Sequence, residues 1–278
     1  MTTELMDWGA IWKERMAASV AAMGGSDCAR AWDNEASARN YWRMILDARD
    51  LYDNVLNGLP IGKDTRVLDV GSGPGSLVVP LAPKVAHITA LEPAGAMADV
   101  LHENIDEYGL QNVDCVHKRW EEVDENKDLV PPYDIVIASF SLGMPDIRAA
   151  IEKMQRVSKG YVFLLWFAGP PSWDRDSRYI FKTFFDREYP GMPQADVIFN
   201  LLYQMGVYPN VNVFPGRMEH HYESLDDLVE DFKVRMPNLS GAQTSDLRAY
   251  YEKIVEKRNG KVILPYTWQS MKLWWKKG

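Results

Sequence analysis

The fold is decided by one stretch of the chain, Arg66–Gly75, which reads RVLDVGSGPG. A short β-type run leads without a break into three glycines spaced two residues apart. Glycine lets the backbone turn tightly and approach a bound molecule closely, because no Cβ stands in the way. In an open α/β sheet such a turn lies at the carboxyl edge of the strands, where ligands bind. The stretch therefore predicts a first strand and the position of a ligand site.

Strands and helices alternate along the chain after this stretch. Apolar runs and apolar residues at helical spacing predict strands at 87–91, 113–116, 134–138 and 161–167 and helices at 97–108 and 147–157. Between the first two strands, Pro80 and Pro83 leave room only for a short apolar segment. Several strands are apolar throughout, which is typical of a parallel sheet covered on both faces. The expected architecture is a doubly wound, mostly parallel α/β sheet.

Residues 1–60 are predicted to form a helical arm that precedes the sheet domain, residues 61–278. Apolar residues recur at helical spacing on both sides of a break at 24–26. The first stripe is Trp8, Trp12, Met16 and Val20, and one face of a second helix carries Trp42, Ile45, Arg49, Tyr52 and Leu56. Such stripes indicate packing against a core. The alternative is an arm that lies over a ligand site.

The last third of the chain gives weaker signals. Helices are predicted at 196–205, 224–234 and 247–256, and extended segments at 211–222, 261–264 and 268–275. Ser224 stands where a helix N-cap is expected. We expect the segment 223–259 to be a helical insertion that serves as a lid over the ligand-binding edge.

Composition excludes several classes of protein. The 31 basic and 39 acidic residues give a formal charge of −8, which disfavours broad electrostatic binding to nucleic acid. Cys28 and Cys115 are too few for a zinc cluster or a disulfide framework. The N-terminus does not resemble a secretory signal, and the longest apolar stretches reach only about half of the ~18–20 residues that a membrane span needs. A cytoplasmic protein without membrane contact is expected.

An acidic residue follows the glycine loop, at the end of the next predicted strand. Glu92 ends the second predicted strand, 17 residues after Gly75. Its carboxylate is placed to accept hydrogen bonds from the two hydroxyls of a ribose, and Asp69 could receive an ammonium group. The loop spacing is G-x-G-x-G, with Ser76 where the nicotinamide-dinucleotide fingerprint has its last glycine, and no lysine follows as in a P-loop. A nicotinamide-dependent oxidoreductase is therefore a minor alternative.

These residues carry a resemblance to a known family. The motif DVGSGPG at 69–75, followed by LEP at 91–93 and by Met97, resembles the first two motifs of class I S-adenosylmethionine-dependent methyltransferases. It is most similar to the small-molecule branch that includes ubiquinone/menaquinone-type C-methyltransferases. The resemblance covers roughly residues 64–169 and implies a Rossmann-like, seven-stranded sheet. It also implies S-adenosyl-L-methionine as cofactor and S-adenosyl-L-homocysteine as product.

The resemblance implies a role for individual positions. The glycine loop would line the methionine and ribose portion, Pro93 and Met97 would flank the adenine, and residues after the fourth strand would approach the sulfonium. Family members usually carry an acid after the third strand that contacts the adenine amino group, whereas this chain has Lys118-Arg119-Trp120. Trp120 could instead stack on adenine. The predicted cofactor contacts are Asp69, Gly71, Ser72, Gly73, Gly75, Glu92, Pro93, Met97, Arg119, Trp120, Ser139 and Phe140.

The sequence reveals little about the molecule that accepts the methyl group. Methyl transfer from a sulfonium needs alignment and exclusion of water rather than a fixed triad, although an acceptor that carries a proton needs a base. His220 and His221 are weak candidates, and at most one would face the site because neighbours on a strand point to opposite faces. No metal site is expected. Residues 139–143, SFSLG, replace the Asn/Asp-Pro-Pro-Tyr motif that is common among enzymes acting on nucleobase amines.

The expected function is therefore transfer of a methyl group to a small, partly apolar acceptor. The expected partner is this small molecule, with neither nucleic acid nor membrane, and the sequence gives no oligomeric state. An RNA or protein methyltransferase remains the runner-up. A non-catalytic protein that binds S-adenosylmethionine is a further alternative.

Overall fold

The computed structural model describes residues 6–22, 24–25, 28–235 and 239–278. It divides the chain into two compact units. The first unit comprises Met1–Pro170, Pro190–Pro215 and Gln269–Gly278, and the second unit comprises Pro171–Tyr189 and Gly216–Trp268. The predicted insertion 223–259 falls within the second unit, and its role as a lid stays a prediction.

The sheet confirms the doubly wound α/β architecture. Its strands are β1 Arg66–Val70, β2 His87–Leu91, β3 Val113–Val116, β4 Tyr133–Ser139, β5 Ser158–Phe167, β6 Asn210–Tyr222, β7 Glu256–Arg258 and β8 Lys261–Lys276. The strand order is β3-β2-β1-β4-β5-β8-β6, and β7 pairs only with β8. The pairs from β3 to β5 are parallel, and β5 pairs with β8 in antiparallel fashion. The path has the expected seven strands, and the short β7 is an eighth that we did not predict.

The helices follow the predicted order, with local differences. They are α1 Trp8–Ala22, α2 Cys28–Trp32, α3 Glu35–Asp47, α4 Arg49–Leu56, α5 Val78–Leu81, α6 Gly95–Glu107, α7 Ile147–Val157, α8 Ser172–Phe185, α9 Ala195–Gln204, α10 Leu225–Arg235 and α11 Gly241–Glu252. Helix α8 is not predicted from the sequence, which indicates no regular element there. The sequence predicts a helix over 247–256, whereas α11 ends at Glu252 and the chain then turns into β7. Ser224 Oγ accepts the Asp227 N–H at 3.1 Å, as its N-cap position predicts.

Two expected boundaries were wrong, one in the arm and one in the last strand. The second helix of the arm is broken at Ala48, where α3 ends and α4 begins. At the other end of the chain, the two strand candidates 261–264 and 268–275 are one strand, β8. The buried Lys272 of β8 donates to the carbonyls of Asn57 at 2.7 Å and of Asn54 at 3.2 Å. This ammonium satisfies carbonyls that the end of α4 leaves unpaired.

The core of the first unit explains the tryptophans of α1. Trp12 is fully buried, its ring lies 5.9 Å from that of Trp166, and its indole N–H donates to the Met144 carbonyl at 2.8 Å. Met16 is also buried in this cluster. A buried indole needs such a partner for its N–H. The packing interpretation is thus confirmed for Trp12 and Met16.

The second unit has its own apolar cluster. Residues of α8, α10, α11 and the second-unit part of β8 form it, with Ile180, Leu228, Leu247, Tyr251 and Leu264 buried. Gly216 on β6 lies directly under the indole of Trp268, so that a Cβ at this position would overlap the ring. This close approach explains a glycine inside a strand.

We expect Gly216→Ala to lower the free energy of unfolding by about 1–3 kcal/mol, because the added methyl forces the Trp268 ring out of its position. Chemical denaturation monitored by tryptophan fluorescence would measure the change. Gly241→Ala is the matched control, since a Cβ at Gly241 meets no atom within 4 Å. Equal stability of the two variants would contradict the prediction.

Among the described residues, no helix combines the length and the apolar character needed to cross a membrane.

Candidate functional site

The glycine loop is held against the end of β2. The φ angles of Gly71, Gly73 and Gly75 are 75°, 56° and 100°, a region that residues with a side chain rarely adopt. The N–H groups of Gly71 and Ser72 donate to the Leu91 carbonyl at 2.8 and 2.9 Å. The loop therefore has a fixed conformation that only glycine adopts without strain.

Glu92 joins this loop through both carboxylate oxygens. Oε2 accepts the Gly73 N–H at 2.8 Å, and Oε1 accepts the Ala94 N–H at 2.8 Å. The side chain is only 8% exposed, and this burial raises the pKa of Glu92, while the two amide hydrogen bonds oppose the rise. The structure thus brings the glycine loop and this carboxylate into direct contact.

Two buried polar groups, Asp69 and Ser72, lie at the loop. Asp69 at the end of β1 is 2% exposed, and burial together with the charge of Glu92 raises the pKa of Asp69 to about 7. Within the described part of the chain, neither Asp69 Oδ2 nor Ser72 Oγ has a partner. Buried polar atoms are normally paired. A ligand with hydrogen-bond donors and a positive charge fits these two atoms.

The loop after β4 contacts the end of β1. Ser141 Oγ donates to the Val70 carbonyl, and a Cβ on Gly71 would overlap Ser141. Phe140 has a φ of 55°, and its N–H donates to the Leu165 carbonyl at 3.1 Å. Non-glycine residues in this region are strained, and such strain clusters at functional sites. The Phe140 ring lies 5.2 Å from the ring of Phe167 at the end of β5.

The arm contributes contacts that the sequence analysis missed. Asp33, between α2 and α3, accepts the Ala96 N–H of α6 at 3.0 Å. Burial raises the pKa of Tyr52 well above its ordinary value, and two neighbours, Tyr41 and Ser76, also act on this pKa; Ser76 directly follows the glycine loop. Tyr52 lay on a predicted apolar face, but nothing local indicates these neighbours. Parts of the arm therefore pack around the glycine loop and α6.

The other predicted cofactor residues differ in their burial. Trp120 is 2% exposed, and its indole N–H donates to the Ala150 carbonyl at 3.1 Å within the core of the first unit. This placement favours packing over stacking on a ligand. Met97 is buried against Ala38 and Val100, whereas Pro93, Arg119 and Ser139 are half-buried.

His220 and His221 lie on β6 in the second unit. His221 is exposed, with Nε2 3.7 Å from Glu219 Oε2. The ring of the half-buried His220 lies 4.8 Å from the ring of Tyr266. A role of either residue as a base stays a prediction. No group of three or more potential metal ligands occurs among the residues that the structure describes.

Comparisons with known proteins agree with this geometry. Residues 67–160 match the family model of a methyltransferase domain. An uncharacterised protein of Haemophilus influenzae is 30% identical over 245 residues, which is 88% of each chain. The ribosomal RNA small subunit methyltransferase G of Yersinia pseudotuberculosis is 28% identical over 134 residues, 48% of this chain and 62% of that protein. A Bacillus halodurans structure, solved as that of a candidate methyltransferase, has a TM-score of 0.54 and 20% identity over 82% of this chain and 99% of its own.

The similarity to the Haemophilus influenzae protein extends over most of both chains, so the two belong to one family. The matched domain contains the glycine loop and Glu92. Together, the domain match, the fold and the loop identify the chain as an S-adenosylmethionine-dependent methyltransferase of the class I superfamily.

Proposed function

We propose that this enzyme methylates a small, partly apolar acceptor. The observation that carries the methyl-transfer part of the proposal is the contact between the glycine loop and Glu92, next to Asp69 Oδ2 and Ser72 Oγ, which have no partner among the described residues. The half-buried rings of Phe140 and Phe167 at the same edge of the sheet support an acceptor with an apolar part. The motif resemblance to the ubiquinone/menaquinone-type branch supports a ring-bearing molecule. The composition supports a cytoplasmic location.

Different residues of the first unit would bind different parts of the cofactor. Glu92 would accept the ribose hydroxyls, Asp69 and Ser72 would pair with the amino-acid portion, and the main chain of Gly71–Gly75 would line it. When bound, S-adenosylmethionine supplies an electrophilic methyl group on a sulfonium. The protein then has to align the acceptor and exclude water, which Phe140 and the loop after β4 would do. An acceptor that carries a proton would also need a base.

Calorimetry with S-adenosylhomocysteine tests the cofactor site. We expect binding by the native protein and none by Gly73→Arg. A Cβ at Gly73 meets no atom within 4 Å, so the new side chain strains the loop at its positive φ and fills the space beside Glu92 without overlapping the core. Gly109→Arg is the matched control, since Gly109 also has a positive φ and open space around its Cβ. Binding of equal strength by Gly73→Arg would contradict the proposal.

A second candidate function is methylation of RNA. It is favoured by the similarity to the ribosomal RNA methyltransferase over 134 residues, and the charge of −8 opposes it. The two candidate functions are distinguished by incubating the protein with labelled S-adenosylmethionine and either total RNA or a low-molecular-weight metabolite extract. Label in the extract alone supports the small acceptor, whereas label in RNA alone refutes it.

A further inference from the structure

The position after β3 lacks the acid that related enzymes place near the adenine base. The structure shows why residues 118–120 do not replace it. Lys118 forms an ion pair with Asp128 at 2.6 Å, and Trp120 is buried in the core with its N–H on the Ala150 carbonyl. Neither side chain carries a hydrogen-bond acceptor. An acceptor for the base has to come from another part of the chain.

The sheet topology fixes the direction in which the base extends. The strand order places β1 between β4 and β2, and β2 between β1 and β3. If Asp69 on β1 pairs with the amino-acid portion and Glu92 after β2 with the ribose, the base lies on the side of β3. This side carries the N-terminus of α6 and His117, the residue that follows β3.

One carboxylate of the arm stands at this place. Asp33 Oδ1 accepts the Ala96 N–H at 3.0 Å, and it lies 3.1 Å from the point where a Cβ on Gly95 would stand. His117 Cε1 lies 4.0 Å from the same point. Asp33 is exposed, and only its Oδ1 is engaged by the described residues. Oδ2 therefore remains able to accept a hydrogen bond.

The arm around Asp33 is fixed to α6. Arg39 binds Glu103 with two hydrogen bonds of 2.6 and 2.7 Å, the bidentate geometry that gives such pairs their directionality. Ala38 is fully buried against Met97 and Val100 of α6. Asn34, next to Asp33, caps α3 by accepting the Ser37 N–H at 3.0 Å. These contacts hold the Asp33 carboxylate in place before any ligand binds.

We infer that Asp33 of the N-terminal arm accepts a hydrogen bond from the amino group of the adenine and thereby selects this base in the cofactor. The inference rests on the proposed cofactor site. Asp33 is a specificity-determining residue here, with no part in methyl transfer. The arm then belongs to the binding site, which agrees with its contacts to the segment after the glycine loop.

Calorimetry with two ligands tests this inference through binding alone, without an activity assay. S-adenosylhomocysteine presents an amino group on its base, and S-inosylhomocysteine presents a carbonyl oxygen at the same position. We expect the native protein to bind the adenosyl compound about 10- to 100-fold more tightly, since one hydrogen bond to a charged acceptor is at stake. Asp33→Asn keeps an oxygen for the Ala96 N–H and offers an amide N–H to the inosyl carbonyl, so the ratio should fall below about threefold.

Two further variants sharpen the test. In Gly95→Ala the new methyl displaces the Asp33 carboxylate, and the ratio should fall as well. Asp47→Asn, an exposed residue of the same arm, is the matched control and should keep the native ratio. A native protein that does not discriminate, or an Asp33→Asn variant that discriminates as the native protein does, overturns the inference and leaves the proposed function standing. Failure of the native protein to bind S-adenosylhomocysteine overturns both.

Discussion

Replacing Glu92 with glutamine is expected to weaken the binding of S-adenosylhomocysteine by about 100-fold, since two hydrogen bonds to a charged acceptor are affected. The native carboxylate accepts N–H groups from Gly73 and Ala94. A glutamine accepts one of them and turns its own NH₂ group toward the other donor. The variant thus loses the negative charge that we propose to face the ribose and one of the two hydrogen bonds that hold the loop. Titration calorimetry at neutral pH measures the affinity.

In this variant, the free energy of unfolding without ligand should change far less than the affinity for S-adenosylhomocysteine. Burial disfavours the charged form of Glu92, as its raised pKa indicates, so a neutral side chain of the same shape relieves part of that cost. The melting temperature without ligand and its rise on addition of S-adenosylhomocysteine would separate the two effects. Glu107→Gln, an exposed position at the end of α6, serves as control. An affinity within threefold of the native value would show that Glu92 does not hold the ribose.

The affinity for S-adenosylhomocysteine should rise by about eightfold between pH 6 and pH 7.5, with release of a proton on binding. Asp69 carries the raised pKa of about 7, caused by burial and by the nearby charge of Glu92. Below this value the carboxyl group is mostly protonated and attracts an ammonium group weakly. Above it the carboxylate pairs with the positive charge of the ligand. Calorimetry in two buffers of different ionisation enthalpy measures both the affinity and the proton release.

The same pKa shift has the opposite effect on the stability of the free protein. The pKa of Asp69 is higher in the folded state than the ordinary value of 3.8. Its contribution to stability is therefore fully present below the unfolded pKa and is lost as the pH rises through about 7. Asp69→Asn should then bind the ligand weakly at every pH, while the variant without ligand is at least as stable as the native protein at pH 8. A pH dependence of binding that persists in Asp69→Asn would assign it to another group.

Much of the fold followed from local pattern. The bounds of β1, β2 and β3 agree with the predicted strands, because apolar β-type runs bounded by glycine or polar residues specify short buried strands. Pro80 and Pro83 limited the helix after the glycine loop to Val78–Leu81, followed by a 3₁₀ turn. Patterns of this kind act through backbone geometry and burial within a few residues. They failed for β8, which pairs with the distant β5, and for α11, which ends at Glu252 before the short hairpin of β7 and β8.

The sequence by itself determined the glycine loop, the acid after β2 and the superfamily that both indicate. These features depend on main-chain conformation at fixed spacing, which a single chain displays directly. Only the tertiary structure decided that Trp120 is buried in the core, that Asp69 is buried without a partner for Oδ2, and that Asp33 reaches α6. Burial and contacts between residues far apart in the chain arise when the elements pack together, so no local pattern records them.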